Sequence, residues 1–179
     1  MEADWEVEIG GGAPVIEALW PGFVDLRAAP ERIVEITEAA AFSPLAGLLL
    51  ALNGPGSPVW TSKCDHWEPE PRTVAIYIDM LPREGAVFAE WDQAEVFCRE
   101  YVGRLQMVVL PETEPACTIS LVIRQAIAGK AEGFGITAYL SAKGSDRTEA
   151  SAGLAKIAAA FAGALPALNS PAAWGSKLQ

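Results

Sequence analysis

Positive charge is scarce in this chain: 13 lysines and arginines stand against 23 aspartates and glutamates, for a net charge of −10. A nucleic-acid surface works by releasing counterions from phosphate to clustered cations, and no basic cluster occurs. Nucleic acid and anionic membranes are therefore not expected partners. Cysteine is sparse too, with Cys64, Cys98 and Cys117 only. An odd count without a Cys-x-x-Cys pair fits buried thiols in a reducing compartment better than a disulfide framework. Histidine occurs once, as His66. One imidazole cannot supply histidine-rich ligation and the cysteines lack zinc spacing, so neither metal nor cofactor is expected. Long apolar runs are missing as well. The most apolar stretch, "LAGLLLAL" at 45–52, is far too short for a bilayer. The acidic, alternating start "MEADWEVEIGGG" does not read as a signal peptide, so the expected location is the cytoplasm.

Apolar residues are plentiful, at 51% of 179 residues. A chain this long buries roughly 70% of its unfolded surface and needs no metal or disulfide to fold. One domain is expected over 1–166, followed by an irregular tail over 167–179.

Periodicity supplies the elements. "DWEVEI" at 4–9 alternates, with Trp5, Val7 and Ile9 on one face. "GGGAP" reads as a flexible hairpin loop leading to a partner strand, "VIEALW" at 15–20. It is not a phosphate cradle, because no helix N-terminus follows it. A helix begins at Pro30 and restarts at Ser43-Pro44, where Ser43 can cap and Pro44 can take the first position. Two strands, 59–67 and 73–81, precede a helix over 88–106 whose inner stripe holds Trp91, Ala94, Phe97 or Cys98, Tyr101 and Leu105. "LPETEPA" at 110–116 is a loop. Strands 117–127 and 134–142 follow, then a helix over 146–164 capped by Ser145, with Leu154, Ile157 and Phe161 facing in. The order is strand-strand-helix about three times. The expected fold is α+β, a largely antiparallel sheet of hairpins with helices packed on one face.

Alternation sorts each strand into two faces. Val74, Ile76, Ile78 and Met80 face the core, as do Cys117, Ile119, Leu121 and Ile123, and Phe134, Ile136, Ala138 and Leu140. In "VWTSKCDHWEP" the even positions Trp60, Ser62, Cys64 and His66 are expected inside, and Thr61, Lys63 and Asp65 outside. Cys64, Asp65 and His66 thus do not form a triad, because Asp65 points away from its neighbours. Cys64 and His66 share a face, ~6.5–7 Å apart at the backbone, which suits a core thiol and a hydrogen-bonded imidazole better than a nucleophile and base. They stay candidates for a thiol–imidazole site.

The outward face carries the more suggestive set: Lys63, Asp65, Tyr77, Asp79, Ser120, Arg124, Thr137 and Tyr139. An arginine beside hydroxyls suits a carboxylate or phosphate. Arg124, Tyr139, Asp79, Tyr77 and Lys63 are the expected ligand-binding residues, with a small anion as ligand. A hydrated face with cross-strand ion pairs, such as Arg124 with Asp79, is the plain alternative. A face stacked on a second copy is another, and a homo-oligomer is expected. The functional expectation is a non-enzymatic binding or assembly domain. The alternatives are a small enzyme on an organic acid or thiol-dependent substrate, using Cys64/His66 or Arg124/Tyr139, and an acidic partner-binding or chaperone-like protein.

Overall fold

The structure is a computed structural model that describes residues 1–108 and 116–166. The loop expected at 110–116 falls, but for its last residue, outside the described residues, as does the tail from 167 onward. The fold is α+β. Its strands are β1 (Glu2–Val7), β2 (Ile16–Glu17), β3 (Val59–Glu70), β4 (Thr73–Pro82), β5 (Ala116–Ala128) and β6 (Ala131–Lys143), and its helices are α1 (Thr37–Ala41), α2 (Ser43–Asn53), α3 (Trp91–Gln106) and α4 (Arg147–Gly163). The sheet order is β1-β5-β6-β4-β3, with β2 also on β5.

The two central hairpins form as their alternation predicts. β3 and β4 pair antiparallel, as do β5 and β6, and β4 joins the hairpins by pairing antiparallel with β6. The expected first hairpin does not form. β1 and β2 both run parallel to β5, in succession along the same edge. The glycine-rich segment between them does not reverse the chain; it loops out and the chain resumes its direction. Gly10 and Gly12, at φ of +117° and +93°, take backbone angles that side chains disfavour. Two short runs joined by glycines look alike whether they pair with each other or share a third strand, and only β5 decides between the two. The sheet is therefore mixed.

The helices cover one face. Val74, Ile76, Ile78 and Met80 of β4, Ile119, Leu121 and Ile123 of β5, and Ile136, Ala138 and Leu140 of β6 share a single core with α2, α3 and α4. The stripes of α3 and α4 bury Ala94, Phe97, Cys98, Tyr101 and Leu105, and Leu154, Ile157 and Phe161. Trp91 departs from its expected stripe: it opens α3 and is 44% exposed, because the first residue of the helix lies beyond the edge of the core. Glu90 and Gln93 close a capping box there. The cap of α4 is Asp146, which accepts from the Glu149 amide at 2.9 Å, and not Ser145, one residue earlier. Ser43 makes no cap either; Phe42 holds that position and Pro44 sits in the first turn. Upstream, the single helix expected from Pro30 is a 3-10 turn (Pro30–Glu35) followed by α1.

The other face carries a smaller core. After β2 the chain crosses it as a strap, and Ile16, Ala18, Trp60, Leu81, Ala126 and Ala128 pack there with Phe23 against them. Gly135 makes room for β2: a Cβ on it would lie 2.9 Å from Ile16 Cδ1. Trp60 is thus buried, but on the face opposite to the one expected. A bulge explains it. The register of β3 against β4 shifts between Thr61 and Cys64, so two residues, Ser62 and Lys63, stand opposite Asp79. The extra residue inverts the phase. Trp60 faces the strap, Thr61 faces α2, and from Lys63 onward the expected alternation holds.

Candidate functional site

The strap leaves part of the outer face uncovered. Beside it lies a pocket of about 260 Å³ lined by Pro14, Val15, Ile16, Lys63, Tyr77, Asp79, Arg124 and Tyr139. All five expected ligand-binding residues line it. They come from four strands: Lys63 from β3, Tyr77 and Asp79 from β4, Arg124 from β5 and Tyr139 from β6. Sheet register brings them together, since Tyr77 pairs with Tyr139 and Asp79 with Thr137. Lys63 joins them from β3, where it and Ser62 stand opposite Asp79 at the bulge. The wall from Pro14 to Ile16 was not legible, because it exists only where β2 lies along β5.

Arg124 is held from three sides. Its Nε and Nη2 donate to Glu8 Oε2 at 3.0 and 2.6 Å, and its Nη1 donates to Tyr139 Oη at 3.1 Å and Thr137 Oγ1 at 3.3 Å. The expected pair with Asp79 is absent: Arg124 reaches that carboxylate only through Thr137, whose hydroxyl donates to Asp79 Oδ1 at 2.6 Å. Glu8 is its true ionic partner, delivered by the parallel pairing of β1. The alternation of 4–9 places Glu8 on the polar face, but its strand neighbour cannot be read from that pattern. Lys63 is differently placed. Among the described residues, no side chain accepts a hydrogen bond from its amine, which lies 5.9 Å from the centre of the Trp20 ring.

Asp79 is 6% exposed. Burial raises its carboxyl above the ordinary carboxylate range, against the opposing pull of the Thr137 hydroxyl, Arg124 and Lys63. Burial, with Asp79 nearby, also pushes the Tyr77 hydroxyl up to about 12. A carboxyl raised in the folded state binds its proton more tightly there than in the unfolded chain. Its stabilising contribution is complete below the ordinary carboxylate value and is lost as pH rises through the raised value. Asp79→Asn is therefore expected to melt above wild type at neutral pH, with the gap closing toward about pH 4. Melting curves across that range check this, and a gap that stays constant with pH contradicts it.

Cys64 and His66 lie on the helix side, opposite Ile78 and Ile76, and Asp65 lies across from Tyr77 on the outer face. The Asp65 carboxylate accepts from the His66 backbone amide at 2.7 Å and does not reach the imidazole. The His66 ring stacks on Phe42, centroids 4.5 Å apart and 2° from parallel. Its Nε2 is buried without a hydrogen-bond partner, and burial, aided by Arg147, lowers its pKa. Burial, reinforced by Glu38, Asp65 and Asp79, pushes the Cys64 thiol up to about 12. A nucleophilic cysteine needs the opposite environment. Among the described residues, no group of three or more histidine, cysteine, aspartate or glutamate side chains is arranged to hold a metal. None of their helices is long and apolar enough to cross a membrane.

A second pocket, of about 320 Å³, lies at the bulge and shares Lys63 and Tyr77 with the first. Above the first pocket the outer face is open, and aromatic rings run across it. Trp67 and Tyr77 meet edge to face at 6.3 Å, and Tyr77 and Tyr139 lie 6.1 Å apart.

No family model, curated protein or solved structure matches this chain.

Proposed function

We propose that this protein is a small-molecule-binding domain, non-enzymatic, that takes a compact organic anion in the pocket beside the strap. One observation carries the reading: Lys63, Tyr77, Asp79, Arg124 and Tyr139, from four strands, line one concavity. Two cations with hydroxyls beside them suit a carboxylate. Lys63 is the group with donors to spare. Arg124 is already committed to Glu8, so it contributes charge and holds Tyr139 in place. The thiol–imidazole alternative has less support, since burial keeps the Cys64 proton on sulfur at neutral pH.

The test is calorimetric titration and thermal shift with short-chain carboxylates and inorganic phosphate. Lys63→Ala is expected to weaken carboxylate binding by about tenfold to a hundredfold, the worth of a hydrogen bond to a charged group. It should leave the melting temperature of the free protein nearly unchanged. Wild type that binds none of these anions would overturn the reading.

A second reading rests on the rings of Trp67, Tyr77 and Tyr139. Half-buried aromatics of this kind anchor protein interfaces. Glu2, Asp4 and Glu6 line β1 along one edge of the same face and are exposed. A basic protein partner would complement that rim, whereas a second copy would set carboxylates against carboxylates. On this reading Trp67→Ala abolishes partner binding and leaves carboxylate affinity unchanged.

A further inference from the structure

The two pockets share Lys63 and Tyr77, and the second has the more apolar lining. The first holds two cations, Lys63 and Arg124, beside the buried Asp79 carboxyl and two tyrosine hydroxyls. The second is walled on its apolar side by Trp20, Val24, Ile36, Leu49 and Cys64, and Thr37, Thr61 and Ser62 add hydroxyls. Lys63 is its one cationic lining residue, and it stands on the shared boundary. The acidic residues at the second pocket are Glu35 and Glu38, and Glu35 is held by Arg32 at 2.7 Å. An anionic group is disfavoured there, and an apolar chain is not. Together the two spaces fall within the size of ordinary small-molecule sites, roughly 300–1,000 Å³.

We propose that the bound molecule is an amphiphilic carboxylate whose head sits at Lys63 in the polar pocket and whose apolar tail passes Lys63 and Tyr77 into the pocket between the strap and α1. This rests on the anion-binding reading of the first pocket and adds the tail. The polarity of the site sets the orientation. The head is drawn toward Lys63 and Arg124 and away from Glu38. The tail covers the Trp20 ring and the protonated Cys64 thiol. Lys63, in the bulge, lines both pockets. Ser62 supports that corner by donating to the Ala18 carbonyl of the strap at 2.7 Å.

The experiment is a calorimetric series of straight-chain acids: butanoate, hexanoate, octanoate and decanoate. Affinity is expected to rise by about fourfold per methylene, the transfer value for a buried CH₂, and to level off once the second pocket is full. Val24→Trp should fill that pocket, keep butanoate binding and flatten the series; Ile36→Trp serves if Val24→Trp does not fold. Butanoate binding with a flat series would overturn the tail and leave the head reading standing. Binding of no acid of any length would overturn both. A chain-length gain that persists undiminished in both filled variants would show that the tail lies elsewhere and overturn the assignment.

Discussion

Tyr101→Ala is expected to cost about 3–5 kcal/mol of folding stability, the range for deleting a large aromatic from a core. Tyr101 is fully buried in α3. Its ring meets Phe97 edge to face at 5.5 Å and lies 4.6 Å from Phe161 of α4. Its hydroxyl donates to the Phe161 carbonyl at 2.5 Å. That carbonyl lies in the last turn of α4, where backbone acceptors have no partner within the helix. One side chain thus fills the space between two helices and finishes the end of one of them. Burial holds the hydroxyl well above its ordinary value, so it remains a donor throughout the usable pH range. Tyr101→Phe separates the two roles. It keeps the ring and leaves the carbonyl unpaired, for a cost of about 1–3 kcal/mol. Urea denaturation of both variants decides the matter. A Tyr101→Phe protein as stable as wild type would show that the hydrogen bond contributes nothing.

Asn53→Leu is the second large effect, at about 2–4 kcal/mol, from a change that barely alters volume. Asn53 ends α2 and is 5% exposed. Its Nδ2 donates to the Leu49 carbonyl at 2.8 Å and to Thr61 Oγ1 at 2.7 Å, and its Oδ1 accepts from the Thr61 amide at 3.1 Å. Leucine would leave that amide and hydroxyl buried and unpaired. Arg83 reinforces the same corner, donating to the carbonyls of Asn53, Gly54 and Ser57 at 2.6–2.8 Å. Thr61 directly precedes the bulge that sets Lys63. The substitution should therefore also weaken carboxylate binding, although Asn53 lines neither pocket. Hydrogen exchange at the Thr61 amide gives a local readout. Protection unchanged in Asn53→Leu would mean that the amide had found another partner, and the predicted loss would not follow.

By itself the sequence determined which way most side chains face. Alternation placed Cys64 and His66 apart from Asp65, gave β4, β5 and β6 their helix-facing rows, and put Lys63, Tyr77, Asp79, Arg124 and Tyr139 on one side of a sheet. Helical spacing found the inner stripes of α3 and α4, from Ala94 to Leu105 and from Leu154 to Phe161. These properties are local: a strand has period two and a helix 3.6 wherever the chain lies. Tertiary structure decided what those patterns meet. β1 and β2 lie along β5 and not on each other, so Glu8 reaches Arg124 and the run into β2 builds a wall from Pro14 to Ile16. The bulge at Ser62–Lys63 sends Trp60 to the far core while keeping Thr61 on α2. Strand partnership and bulge position depend on which distant surfaces fit once the core has closed. No repeat of apolar residues within a segment carries that information, because the partner that decides it lies up to a hundred or more residues away: Glu8 and Arg124 are 116 apart in the chain.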